Sequence, residues 1–263
     1  MRLSLHTWTL DRTPLADVLA VIRAVGWDAV ELRRIDFARA AQAGQSADEV
    51  LGLVGRSGLP VACVGVELGW MWAEGDERTR LLAAFAESCA WARTLGCGVV
   101  MSPVDKGTGD AERAMRSIRE VGDLAAAHRV RLALEFNSQA EQWNTLGAVD
   151  ALVRRAGHPH VGLLVDAYHL QRSGGKPADV TALRGEDIVY VQFSDVAPRT
   201  EPGVFLDRLP PGRGVVPFKE FFAAVRAVGY DSYCSYEAPN PAAWSRPADA
   251  VAREALEATR SVL

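Results

Sequence analysis

The chain has 263 residues, 49% of them apolar and 24% charged, with a net charge of −4 at neutral pH. That is ordinary globular composition; it shows no basic patch of the kind a nucleic-acid binder carries and no apolar run of about 18 residues that could span a membrane. The four cysteines, Cys63, Cys89, Cys97 and Cys234, lie in apolar segments without a C-x-x-C pair and read as reduced core thiols of a cytoplasmic protein. Met1 to His6 enters a strand directly, so no signal peptide is expected.

In chain order, Arg2 to His6 reads as a short strand ending in a histidine. Thr13-Pro14 opens a helix through Val25, with Leu15, Val18, Leu19 and Ile22 at helical spacing and Gly26 as its stop. A second strand, Trp27 to Leu32, runs into Arg33-Arg34. Ser46-Ala-Asp-Glu49 is a capping box for a helix ending near Gly58. Pro60 to Glu67 is the third strand, with Trp70 and Trp72 in its exit. Asp76 caps a helix to Leu95, Gly98 to Ser102 is the fourth strand, and Asp110 caps a helix to about Arg129. Val130 to Phe136 is the fifth strand, followed by a helix from about Gly147 to Ala156.

The sixth strand, Val161-Gly-Leu-Leu-Val-Asp166, is a continuous apolar run of the kind buried on both faces of a parallel sheet. A charge cannot sit in the middle of such a strand, so Asp166 marks its carboxyl end and His169 the first turn beyond. A short helix from Ala178 to about Leu183 leads to the seventh strand, Ile188 to Ser194, which carries Gln192. After a loop with Arg199, Arg208 and Arg213 come a helix from Pro217 to Val228, an eighth strand from Asp231 to Glu237, and a terminal helix from Pro247. Eight strand–helix alternations within this length predict a single α/β domain over 1–263, a (β/α)8 TIM barrel.

Four successive strands thus end in an oxygen-bearing side chain: Glu135, Asp166, Gln192 and Glu237. In a barrel these ends form an arc at the mouth where ligands bind. Three carboxylates gathered in a low-dielectric mouth raise one another's pKa, and a divalent cation relieves the repulsion. Three carboxylate oxygens and one amide carbonyl make a hard ligand set, suited to Mg2+ or Mn2+ ahead of Co2+ or Zn2+.

The segments Leu134-Glu135-Phe-Asn137, Val165-Asp166-Ala-Tyr-His169, Val191-Gln192-Phe-Ser-Asp195, Pro211-Gly-Arg-Gly214 and Tyr236-Glu237 resemble the xylose-isomerase-like barrel superfamily of sugar and sugar-phosphate isomerases and epimerases. The resemblance covers essentially the whole chain. It implies that Glu135, Asp166, Gln192 and Glu237 hold one divalent metal and that His169 contacts the substrate. Many members carry histidine where this chain has Gln192; some relatives with glutamine there are 3-dehydroshikimate dehydratases.

The expected chemistry is abstraction of a proton next to a carbonyl through a metal-stabilised enediolate, with Glu135 and Glu237 as base and acid and His169 assisting. Return of the proton gives an epimer or an isomer; loss of a β-hydroxyl gives dehydration. Expected substrate contacts are His6, Asn137, Trp70 and the arginines Arg172, Arg199 and Arg213. Arginines near the mouth, Arg33, Arg34 and Arg208 among them, point to an anionic small molecule. The aromatic residues of the mouth, Trp8, Trp70, Trp72 and Trp143, suit sugar stacking, a lid or a homo-oligomer contact equally. A DNA-repair endonuclease on the same barrel needs a histidine-rich metal cluster and a basic groove, which five histidines and a negative net charge do not provide. A non-catalytic binding barrel would have no reason to keep the acid set.

Overall fold

The computed structural model describes residues 1–199 and 203–263. Its eight strands are β1 (Arg2–His6), β2 (Ala29–Leu32), β3 (Val61–Gly65), β4 (Val99–Pro103), β5 (Arg131–Glu135), β6 (Val161–Asp166), β7 (Ile188–Phe193) and β8 (Tyr233–Tyr236). Each pairs in parallel with the next, and β8 pairs with β1, so the sheet closes into the expected barrel. The helices are α1 (Leu15–Val25), α2 (Arg34–Gln42), α3 (Ala47–Ser57), α4 (Gly75–Thr94), α5 (Ala111–Ala127), α6 (Leu146–Ala156), α7 (Ala167–Arg172), α8 (Pro177–Thr181), α9 (Phe218–Ala227) and α10 (Ala248–Val262).

Local sequence explains most of these boundaries. In α1 the i, i+3/i+4 spacing buries Val18, Leu19 and Ile22 on one face, and Gly26 ends the helix at φ 93°, its N–H donating to the carbonyl of Ile22. The Ser46 hydroxyl accepts from the Glu49 N–H at 3.3 Å while the Glu49 carboxylate accepts from the Ser46 N–H at 2.7 Å, which starts α3. One helix has no clear periodic signal. Helix α2 buries only Asp36 and Phe37, and its own Asp36 fixes its start: Oδ2 accepts from the Arg33 N–H at 2.8 Å and from the Thr7 hydroxyl of the β1 exit at 2.6 Å. Helix α4 begins one residue before the expected cap, at Gly75, with Glu74 at the cap position.

Strand alternation sorts the core into two layers. Leu132 and Leu134 of β5 pack outward with the helices, whereas Ala133 points inward with Ala29, Ala62, Cys63, Met101, Leu164, Val189 and Tyr190. Glu135 follows Ala133 on the inner face and so opens into the mouth. All four cysteines are buried and unpaired, and burial pushes the thiols of Cys89, Cys97 and Cys234 up to about 12, so they stay protonated. Among the described residues no helix is long and apolar enough to cross a membrane.

Candidate functional site

The carboxyl ends of the strands open into a cavity of about 800 Å³. His6 (β1), Glu135 (β5), His169 (start of α7), Arg208 (the β7–α9 loop) and Glu237 (just past β8) line its floor. Register carries the neighbouring acids inward together: Asp166 sits opposite Gln192 across β6 and β7, and Glu237, whose N–H donates to the Phe193 carbonyl, follows on β8. Glu135, Asp166, Gln192 and Glu237 are all buried.

One atom organises the acids. Nη1 of Arg208 lies 2.7 Å from Glu237 Oε2 and 3.3 Å from Asp166 Oδ2. Burial would push every carboxyl up, and the guanidinium opposes it unequally. Glu237, with Arg208 and His6 beside it, is held below the usual carboxylate range. Asp166 is raised to about 6 by burial, with Arg208 holding it back. Glu135 is raised well above the usual range by burial and by the charges of Asp166 and Glu237.

The two histidines are neutral for the same reason. Burial lowers His6 to about 4 and pushes His169 well below its ordinary value. His6 Nδ1 accepts from the Trp8 N–H at 3.0 Å, which leaves the proton on Nε2, 3.4 Å from Glu237 Oε1. His169 Nδ1 accepts from the Ser138 N–H at 3.2 Å, and its Nε2 lies 3.8 Å from Glu135 Oε1 and 3.9 Å from Asp166 Oδ2. One donor atom each from Glu135, Asp166 and His169 falls within a 4.8 Å span.

These residues fit a divalent cation. Glu135 Oε1 and Gln192 Oε1 are buried without a hydrogen-bond partner, an arrangement that costs free energy unless another group completes it. Glu135, Asp166 and Glu237 gather around a single buried guanidinium, with buried Glu31 close enough to raise Glu135, so the cluster holds more acid than Arg208 balances and a divalent ion relieves the repulsion. Glu135 Oε1 and Gln192 Oε1 are the atoms open to such an ion, and the carboxylates of Asp166 and Glu237 retain lone pairs beyond those they share with Arg208.

Other expected site residues separate. Asn137 lines the cavity, its Oδ1 accepting from the Gln139 N–H at 2.9 Å. Trp70 does not reach the cavity: it is wholly buried and donates from Nε1 to the Ser102 hydroxyl at 3.0 Å, because the chain beyond β3 folds it inward under α4. Arg172 lies outside the lining, stacked over Tyr168 and Phe205 with Nη2 donating to the Val204 carbonyl. Arg199 and Arg213 are exposed and also lie outside it, because the β7–α9 loop turns them away where it brings Arg208 in. Arg33 and Arg34 do line the cavity, but acids already engage them: Asp11 and Asp36 on Arg33, Glu67 and Glu87 on Arg34. Trp8 faces the cavity, whereas Trp72 and Trp143 stack on each other at 5.6 Å. The outer wall is apolar, with exposed Ile35, Leu68 and Leu206.

Three further residues shape the site, and the strand-end pattern gave none of them a role. Glu31 sits inside β2, within Ala29-Val-Glu-Leu32; a lone acid in an apolar strand was its signal. Asp195 is fully buried and its carboxylate accepts from the N–H groups of Val196 (2.9 Å), Gly214 (2.7 Å) and Val216 (2.9 Å). It thereby pins the loop that delivers Arg208. A Cβ on Gly214 would overlap the Val196 carbonyl and the Asp195 carboxylate, so only glycine fits this approach. Lys106 lines the cavity, its ammonium donating to Gln139 Oε1 at 2.9 Å.

Comparison with known proteins agrees with this architecture. A 3-dehydroshikimate dehydratase of Pseudomonas aeruginosa is 26% identical over 274 aligned positions, covering 100% of this chain and 41% of that protein. An inosose isomerase of Bacillus velezensis is 26% identical over 150 residues, 56% of this chain and 53% of its own. The chain therefore spans about half the length, or less, of both. The solved structure of an IolI protein with a bound zinc atom superposes with a TM-score of 0.89 at 19% identity, covering 100% of this chain and 98% of that one. Residues 19–262 match the family model of the xylose isomerase-like TIM barrel, and the chain belongs to that family.

Proposed function

We propose that the protein is a divalent-metal-dependent enzyme that moves a proton next to a carbonyl on a polyhydroxylated small molecule, as an isomerase or epimerase of a sugar or keto-sugar. The observation that carries the reading is the buried oxygen cluster of Glu135, Asp166, Gln192 and Glu237, two of whose oxygens lack partners and whose acids outnumber the one guanidinium, Arg208, among them. Those four residues would hold the ion, with Mg2+ or Mn2+ suited to the oxygen set. The ion would supply Lewis acidity that stabilises negative charge developing on a substrate oxygen.

The chain's own groups do the rest. Glu135 and Glu237 come from strands three apart around the ring, so they address a substrate from different sides. Without the ion, burial and the neighbouring acids raise Glu135 while Arg208 holds Glu237 down, so the two carboxyls differ in proton affinity. His169, neutral and anchored through Nδ1 to Ser138, sits with Nε2 3.3 Å from Arg208 Nη2, so the two side chains would face a substrate oxygen together. Lys106, at the cavity, favours an anionic or strongly polar substrate, and Ile35, Leu68 and Leu206 make part of the outer wall apolar.

Dehydration on the same site is the second reading. Its support is the glutamine at position 192 and the alignment of the whole chain with a 3-dehydroshikimate dehydratase. One experiment separates the two. The protein is loaded with Mn2+ in deuterated water and offered keto-sugars, inososes, sugar phosphates and dehydroshikimate, and products are followed by NMR. Deuterium at the carbon next to the carbonyl with the carbon skeleton's oxygens retained supports the isomerase; release of water with a conjugated product supports the dehydratase. Neither exchange nor turnover on any of them, with metal bound, overturns the enzymatic reading.

A further inference from the structure

Glu31 lies inside the barrel beneath the acids, fully buried on β2. Both of its carboxylate oxygens take a proton donor from β7, across the barrel. Oε1 accepts from Gln192 Nε2 at 2.8 Å and Oε2 accepts from the Tyr190 hydroxyl at 3.2 Å. Tyr190 is in turn 3.2 Å from the Ser4 hydroxyl of β1, so three strands fix the carboxyl plane. A primary amide has one donor end and one acceptor end, roughly opposite each other. With Nε2 committed to Glu31, Oε1 of Gln192 is turned away from it, and that is the oxygen left buried without a partner.

We infer that Glu31 is a positioning residue: its carboxyl oxygen Oε1 holds the Gln192 amide in the one orientation that offers a carbonyl oxygen, rather than an NH2 group, to a divalent cation. This rests on the metal reading proposed above. The reasoning is specific to an amide ligand. A carboxylate presents an oxygen whichever way it turns, but a rotated glutamine presents two N–H donors that repel a cation. A ligand of this kind needs an acceptor behind it, and groups behind metal ligands carry roughly a 10- to 100-fold share of affinity.

The test uses the full chain, stripped with a chelator and titrated with Mn2+ by calorimetry, with folding checked by circular dichroism. The wild type binds one Mn2+ per chain. Gln192→Ala and Glu31→Leu each weaken binding by roughly 10- to 100-fold. Glu31→Gln keeps a carbonyl acceptor for Gln192 Nε2, while its own NH2 can donate to Tyr190, so it restores affinity to within about twofold of wild type. The double variant Glu31→Leu/Gln192→Ala binds no more weakly than Gln192→Ala alone, since Glu31 acts through that side chain. If Glu31→Leu does not fold, Glu31→Ser takes its place. A purely packing role would lower the thermal midpoint without this pattern. Wild-type affinity in Glu31→Leu, full affinity in Gln192→Ala, or losses that multiply in the double variant each overturn the inference while leaving the metal site standing. A wild type that binds no Mn2+ removes the metal reading itself, and the inference with it.

Discussion

Arg208 Nη1 stands 2.7 Å from Glu237 Oε2, and the same nitrogen reaches Asp166 Oδ2 at 3.3 Å. A single buried guanidinium nitrogen therefore bridges the acids of two strands and accounts for much of the difference in their ionisation. Breaking such a pair leaves uncompensated charge in a low dielectric. Arg208→Met is expected to destabilise the metal-stripped protein by about 3 kcal/mol or more near neutral pH, and Arg208→Lys by less. Saturating Mn2+ recovers most of the loss, because the cation supplies the missing positive charge. Urea unfolding with chelator and with Mn2+ checks both statements; equal losses in the two conditions would separate Arg208 from the metal's electrostatics.

The pH dependence of the stripped protein follows from the same cluster. Burial and the charge of Glu237 raise Glu31 from 4.5 to about 8 against the hydrogen bonds from Gln192 and Tyr190, and burial raises Asp166 from 3.8 to about 6. A carboxyl with a raised folded pKa binds more protons folded than unfolded within its window, so stability falls as pH rises through it. His6, lowered from 6.5 to about 4, acts oppositely and adds stability as pH rises to 6.5. Between pH 4 and 6.5 the effects compete; from 6.5 to 8.5 the carboxyls act alone and the thermal midpoint falls. Midpoints measured across that range should drop with chelator and flatten or rise with Mn2+, which binds the ionised form. A rise with chelator would contradict the assigned directions.

Asp195 is expected to matter for activity without touching the cavity. Asp195→Ala leaves the N–H groups of Val196, Gly214 and Val216 without their shared acceptor. At about 1–3 kcal/mol for each buried group left unsatisfied, partly recovered by water, the net loss is about 3 kcal/mol. The loop that carries Arg208 loosens with it, so turnover falls and Mn2+ affinity moves in the same direction as in Arg208→Met. Asp195→Asn, which retains one acceptor, should lie between. Calorimetry and solvent-deuterium exchange on one preparation separate the two quantities.

Removal of either carboxyl that addresses the substrate should stop the proton. Glu135→Gln and Glu237→Gln are each expected to lower exchange by roughly 10²- to 10⁴-fold at saturating Mn2+. Chelation of the wild type abolishes exchange, and Mn2+ or Mg2+ restores it. The NMR assay that identifies the product measures both, and exchange that persists in Glu135→Gln would pass the proton-transfer role to another group.

The alternation of apolar runs with amphipathic segments determined the barrel, because burial on both faces leaves a parallel strand few sequence solutions. The same rule placed Glu135, Asp166, Gln192 and Glu237 at strand ends, since a charge inside such a strand is costly. Glu31 shows where that rule stops. It does lie inside a strand, and only the partners brought by β7 and β1 make it tolerable.

What the sequence decided by itself, then, was the scaffold and which strands carry oxygen to the mouth, both written in residues near one another in the chain. The fold alone chose among the loop residues. It turned Arg208 inward while leaving Arg199 and Arg213 in solvent, sank Trp70 into the core, and set Glu31 behind Gln192. Those outcomes depend on contacts between residues 19 to 161 positions apart, such as Asp195 with Gly214 and Glu31 with Gln192. Local periodicity carries no record of such distances, because the energy that selects them arises only when the ring has closed.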